Sequence, residues 1–291
     1  MAPPAAFSPV KLRIGKAVSG AAFVLCVACA ASIILLLALV SGYLAYIGVS
    51  SLSVDFFTLD PTGDTTNPGG MRHAILGTLI LISMASAVAV PLGVMTGVYL
   101  SEYSERSYLA SATRFICDVL SGVPSIVVGI LGYELLVVPI GKFNAFAGAL
   151  ALAFIMVPIV ARTTEEMLRL VPASYREASI ALGATKATTI FKVVLPAAVG
   201  PVLTGIMLAL ARVAGETAPL LFTALGARLL SLQNFFSDPQ PFPSLTAQIY
   251  VYASGPYVAQ RELAWAGIIV LISLIFVINL LIRFAVARSR R

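Results

Sequence analysis

From Ala17 to Ile47 the chain carries no charged residue. An apolar run of that length exceeds the roughly 20 helical residues needed to cross a hydrocarbon core. Similar stretches recur near 74–100, 119–140, 145–161, 197–226 and 264–287. Overall 59% of residues are hydrophobic and only 11% are charged, so a soluble fold would lack the polar surface to cover itself. Inside lipid every backbone polar group must be paired within its own segment, which favours helices for spans of this length. The expected fold class is therefore an all-α polytopic membrane protein with six transmembrane helices. The first run follows the basic segment KLRIGK and is too long for a cleaved leader, so it reads as a retained anchor.

Orientation follows from the distribution of Lys and Arg. The two termini and the loops 101–118 and 162–192 together hold fourteen of them, whereas the opposite loops hold only Arg72, Lys142, Arg228 and Arg261. Both termini are thus expected in the cytoplasm. The implied organisation is a basic tail over 1–16, a first span over 17–47 and an outer loop over 48–73. A helical core follows over 74–287, containing a long cytoplasmic loop at 162–196, and then a basic tail over 288–291. The outer segment 227–262 contains SDPQPFP, whose prolines interrupt any helix, followed by a helical piece around LTAQIYVY.

Several function classes find no support. The Cys26/Cys29 pair has metal-ligand spacing but lies inside an apolar span, where buried small residues are the simpler reading. No metal site is expected. His73 heads the second span and reads as a surface or capping residue. The excess of basic residues comes without a nucleic-acid-binding pattern. No G-x-x-x-x-G-K-[ST] stretch occurs, so this chain cannot cradle ATP phosphates by that mechanism.

The long inner loop reads ARTTEEMLRLVPASYREASIALGATKATTIFKVVLP. Glu165 and Arg169 are spaced as on a solvent-exposed helix. Pro172 ends that helix, and Ser174 with Glu177 three residues on fits a capping box that would start a second one. Gly183 is a natural stop, and ATTIFKVV leads on toward Leu195-Pro196. Apolar side chains displayed on such a compact helix–turn–helix suit a partner surface.

Glu177-Ala178-Ser179, three residues, Gly183, nine residues, Val193, one residue and Leu195-Pro196 resemble the EAA loop of ABC-importer permeases. Ser179 replaces an Ala of that pattern and Val193 an Ile. The resemblance implies the fold of a type I ABC-importer permease, in which this loop docks on an ATPase subunit. It places Glu177, Ala178, Ser179, Gly183, Leu195 and Pro196 in the docking motif. ATP and Mg would then be bound by that ATPase, with no cofactor in this chain.

The second constraining run is ARVAGETAPL at 211–220. A charge in a span is costly, about 2.5–3.5 kcal/mol for an Arg at a helix centre, so such residues face a partner or a water-filled path. In an unbroken helix Arg212 and Glu216 would share a face, about 40° apart. They could simply neutralise one another, but an isolated buried pair stabilises poorly. A guanidinium forks well onto a tetrahedral oxyanion, and a neighbouring carboxylate could accept the remaining proton of phosphate, which sulfate lacks. Arg212, Glu216 and the adjacent Thr217 are therefore candidates for a substrate path. Gly215 and Pro219 are candidates for a hinge, since Pro219 has no N–H and its ring crowds the Gly215 carbonyl. Ser121 and Ser125 flank a break, SGVPS, in the third span, and either line the path or permit close helix packing.

ARVAGETAPLLFTAL resembles the fifth span of PstA-type permeases of phosphate importers. GGMRHAILGT at 69–78, GVYLSEY at 97–103 and SGVPSIVVGILG at 121–132 resemble the same family. The resemblance implies a non-catalytic permease subunit in a bacterial inner membrane that imports inorganic phosphate. Its implied partners are a PstC-like sister permease, a PstB-like ATPase dimer and a PstS-like phosphate-binding protein, with lipid around it and no nucleic acid. The competing expectations are a permease for another oxyanion, such as molybdate or sulfate, or an ATP-independent secondary transporter or channel.

Overall fold

A computed structural model describes residues 9–103, 107–230 and 240–289. Its elements are α1 (Pro9–Ser50), α2 (Val54–Thr58), α3 (Arg72–Val98), α4 (Tyr108–Gly122), α5 (Ser125–Gly132), α6 (Val138–Ile140) and α7 (Ala145–Arg169). After these come α8 (Ala173–Ala181), α9 (Lys186–Thr189), α10 (Leu195–Ala214), α11 (Ala218–Thr223), α12 (Leu245–Ser254) and α13 (Val258–Ser289). Three π-helical turns extend or join them: Tyr99–Tyr103 ends α3, Tyr133–Val137 joins α5 to α6, and Ile190–Val194 joins α9 to α10. No strand occurs among the described residues. Among the described residues five helices are long and apolar enough to cross a membrane, and a sixth crossing is available if the bent pair Tyr108–Gly122 and Ser125–Ile140 counts as one.

The core is built around α7. Its start is set by Asn144, whose side chain accepts the Ala147 amide at 2.8 Å, as an N-cap should. Small residues let α3 approach closely: a Cβ on Gly97 would meet Thr164 Cβ at 2.6 Å and the Ala161 carbonyl at 2.7 Å. Such contact is how apolar helices associate when surrounding lipid is as apolar as their side chains. Leu81, Leu152, Met156, Val160, Leu168, Ile190 and Val194 fill the interior between α3, α7 and the start of α10. A smaller cluster of Phe56, Met71, Leu245, Tyr252 and Val270 closes the opposite end. The α1 helix is exposed over most of its length and meets α13 near its C-terminal end, where Trp265 lies edge-on to Tyr43 and Ile269 lies against Gly48.

The structure departs from the sequence expectations at two spans. The third, expected over 119–140, is broken: α4 and Ser125–Ile140 meet at 102°. Pro124 causes this, because it forces Val123 out of the helical region (φ −68°, ψ 130°) and offers no amide of its own. The fifth, expected over 197–226, stops at Ala214 and restarts as α11. Elsewhere α7 continues unbroken to Arg169, into the segment expected to be loop. The first part of SDPQPFP lies outside the described residues, and α12 supplies the helix expected around LTAQIYVY.

Candidate functional site

Arg212 occupies the last turn of α10 and Glu216 lies beyond its end, in the link to α11. Their proximity therefore arises from a turn, not from a shared helical face as the unbroken-helix reading required. The Gly215 amide bonds to the Arg212 carbonyl at 3.1 Å and the Glu216 amide to the Val213 carbonyl at 3.1 Å, which closes α10 with a tight turn. Pro219 falls in the first turn of α11, where a missing N–H costs nothing. It starts a new helix instead of kinking an old one. Gly215 has ordinary right-handed backbone (φ −91°, ψ −3°), and nothing but the Arg212 carbonyl oxygen lies near its absent Cβ, at 3.6 Å. Gly215 and Pro219 thus lie in a helix–turn–helix junction and not at a kink within one continuous helix.

Arg212 Nε stands 3.9 Å from Glu216 Oε1, longer than a hydrogen bond. The Arg212 side chain is half exposed, whereas Glu216 is mostly covered. Thr246 of α12 holds the link by donating to the Glu216 carbonyl at 3.1 Å. Thr217 follows directly, half-buried, ahead of α11. The α11 helix crosses α5 closely: a Cβ on Gly129 would meet Pro219 Cα at 3.0 Å. Ser125 lies one turn before Gly129, at the first position of α5. Ser121 sits on the other side of the bend in α4 and donates to the Cys117 carbonyl at 2.8 Å. The broken third span thus reaches the junction through α5 and α11.

The segment after α7 folds as α8, a turn and α9. Ser174 does not cap α8, which begins at Ala173 after Pro172 and has no side-chain cap bond. The proline, with φ −56° and ψ 140°, already supplies the non-helical entry that a cap residue would provide. At the other end Gly183 adopts φ +83°. Its amide bonds to the Ile180 carbonyl and the Ala184 amide to the Ser179 carbonyl, a Schellman closure in which glycine is the natural residue. Glu177, Ala178 and Gly183 are exposed together with Ile180 and Leu182, the last of these 89% exposed. Ser179 turns inward, and its Oγ lies 2.8 Å from Thr189 Oγ1 of α9. Leu195 and Pro196 are elsewhere, lining an apolar groove of about 810 Å³ with Val94, Met95, Val98, Tyr99, Tyr103 and Phe191. The motif residues therefore divide between an exposed tip, a buried tie and the head of α10.

Charged residues read only as topology or surface markers do more than that. Glu165 is fully buried, not on an exposed helical face, and accepts from Arg114, Arg162 and Arg169 at 2.7, 2.8 and 2.6 Å. Arg162 also reaches Asp118 at 3.0 Å. Arg176 of α8 grips Glu102 in the π turn after α3. His73, expected at the surface, is 1% exposed. Sequence alone offered no clue to the Arg114–Glu165 and Arg176–Glu102 pairings, whose partners lie 51 and 74 residues apart.

The sequence profile of the family described as binding-protein-dependent transport system inner membrane component matches residues 89–291. A phosphate transport system permease protein PstA of Yersinia pestis is 43% identical over 243 residues, covering 84% of this chain and 81% of that one. PstA 1 of Mycobacterium tuberculosis is 43% identical over 77% of this chain and 72% of its own length. A probable PstA of Methanocaldococcus jannaschii is 39% identical over 76% and 77%. The chain belongs to the PstA family of binding-protein-dependent permeases. Among solved structures, an inward-facing MetNI methionine ABC transporter superposes with a TM-score of 0.53 at 21% identity, over 76% of this chain and 92% of that one. This supports the type I ABC-importer permease fold. As a PstA-family permease the chain is a multi-pass membrane transport component and not itself a catalyst. The exposed tip of α8 carries the run that resembled the EAA loop, and the α10–α11 junction carries the run that resembled the family's fifth span.

Proposed function

We propose that the chain is the permease subunit of an ATP-driven importer of inorganic phosphate in a bacterial inner membrane. Its relatives' names carry the substrate, and the 43% identity over most of the chain is the observation that supports it. Arg212 faces the path and draws the anion, since a guanidinium presents a fork to tetrahedral oxyanions. Glu216 receives the remaining phosphate proton or holds Arg212 when the path is empty, and the 3.9 Å gap leaves Arg212 free to do either. Thr217, Ser125 and Ser121 line the approach across the α5–α11 crossing. The exposed tip Glu177, Ala178, Ile180, Leu182 and Gly183 docks on an ATPase dimer that binds ATP and Mg. A sister permease completes the path, and an external phosphate-binding protein delivers the substrate.

Uptake of labelled phosphate by the reconstituted complex tests this, with sulfate and molybdate as competitors. ATP-dependent uptake that excess sulfate leaves unchanged is the expected result. Arg212→Lys and Glu216→Gln should each lower uptake at normal membrane levels. Full transport in both variants would remove the pair from the path.

A further inference from the structure

Arg176 lies beside the docking tip yet points away from it, back into the membrane-facing body. Its Nη2 donates to Glu102 Oε1 at 2.6 Å and its Nε to Glu102 Oε2 at 3.1 Å, the two-pronged arrangement that fixes direction as well as distance. Its remaining donors go to carbonyls in the last turn of α7 and just past it: Nη2 to Leu168 at 2.9 Å and Nη1 to Val171 at 2.7 Å. One guanidinium thus binds three segments, namely α8, the end of α7 and the π turn that ends α3. The contact is largely dry, with the Glu102 side chain 7% exposed and that of Arg176 23%.

The same π turn receives the rest of the loop. Lys186, at the start of α9, places Nζ 4.7 Å from the centre of the Tyr103 ring, an attractive arrangement for a cation. The Ser179–Thr189 bond ties α8 to α9. Arg114 of α4 donates to the Leu100 carbonyl in that turn at 2.8 Å. Before the turn, α3 packs closely on α7 at Gly93 and Gly97, where a Cβ would meet Val160 Cβ at 2.7 Å and Thr164 Cβ at 2.6 Å.

We propose that Arg176 is a positioning residue: through Glu102 and the α7 carbonyls it makes α8 one rigid piece with α3 and α7. Displacement of the docking tip then moves those helices instead of bending the loop. The inference rests on the reading that α8 docks an ATPase. It adds that force leaves the loop through a polar strut distinct from the covalent connection into α10.

The test compares Arg176→Gln, Arg176→Lys, Glu102→Gln and the double variant Glu102→Gln/Arg176→Gln. The whole complex is reconstituted in vesicles, with ATP hydrolysed and labelled phosphate taken up measured on the same preparation. Arg176→Gln should keep ATPase co-purification and hydrolysis, while phosphate taken up per ATP falls by about tenfold, as expected for losing a charge-assisted interaction. Arg176→Lys should fall less, and the double variant no further than the worse single one. Glu102→Gln leaves both α7 carbonyl contacts in place, so it decides the matter if Arg176→Gln fails to accumulate. An unchanged ratio in Arg176→Gln, or in Glu102→Gln where that one decides, overturns the proposal. So does a parallel fall of uptake and hydrolysis at constant ratio, or independent losses in the double variant. Failure of the docking reading looks different: ATPase co-purification would survive Leu182→Asp at the exposed tip.

Discussion

Arg114 Nε and Glu165 Oε1 lie 2.7 Å apart across α4 and α7, although 51 residues separate them in the chain. Glu165 is fully buried and also holds Arg162 and Arg169, so a single carboxylate organises the cluster beneath the broken third span. Removing one partner of a buried pair costs about 3–5 kcal/mol, because a charge is left without compensation. Glu165→Ala should lower the unfolding midpoint of the purified chain strongly. Arg169→Ala, whose side chain is more than half exposed, should cost no more than about 1 kcal/mol. Thermal unfolding in detergent compares the two, and equal losses would contradict this account.

Two glycines in the motifs have opposite requirements. Gly183 has φ +83° with open space around its absent Cβ, so Gly183→Val is penalised by backbone conformation alone, by about 1–2 kcal/mol. Gly215 has ordinary backbone and room for a methyl group, so Gly215→Ala should stay within about 0.5 kcal/mol of the parent. Phosphate uptake by Gly215→Ala adds a functional reading. Near-normal uptake is expected from the junction geometry, whereas a large loss would restore glycine as a hinge.

Ser179 stands where related loops carry Ala, and its hydroxyl meets Thr189 in a buried contact. Ser179→Ala leaves the Thr189 hydroxyl without that partner and should destabilise the α8–α9 unit by about 1–2 kcal/mol. Adding Thr189→Val removes the orphaned group and should recover most of the loss. Hydrogen exchange over 173–194 in the single and double variants provides the measurement.

Asp60, in the loop between α2 and α3, accepts from the Arg72 guanidinium, which holds its carboxyl below the ordinary aspartate range. A lowered folded value means the pairing stabilises the loop above the unfolded value of about 3.9 and is lost as pH falls through the lower folded value. Protection of the Arg72 amide, which bonds to the Leu59 carbonyl, should therefore persist at neutral pH and decline at pH below about 4. Asp60→Asn should abolish that pH dependence. The same decline in the variant would assign the effect to another group.

The motifs were legible because their signals are local. Gly183 is required by a backbone angle, and Pro124 marks its break by a missing amide and a displaced neighbour. The junction at 212–219 was legible in composition but not in shape. Pro219 is compatible with both a kinked helix and a new one, and which of them forms depends on Thr246 and Gly129 packing against the link. Ser174 failed as a cap for a similar reason, since Pro172 already supplied the entry geometry. Glu165 and His73 were misplaced because burial is a property of what packs around a residue.

By itself the sequence determined that this is a membrane-embedded bundle of helices and where local turns interrupt it, at Pro124 and Gly183. Those conclusions depend on hydrophobicity, charge and turn chemistry, which act over a few residues or along one span. Only the tertiary structure decided which charges meet. Arg176 with Glu102, and Arg114 with Glu165, are brought together by packed helices, with small residues such as Gly93 and Gly97 letting α3 approach α7. Long-range pairing depends on the packed arrangement of helices, and no local pattern in the chain encodes it.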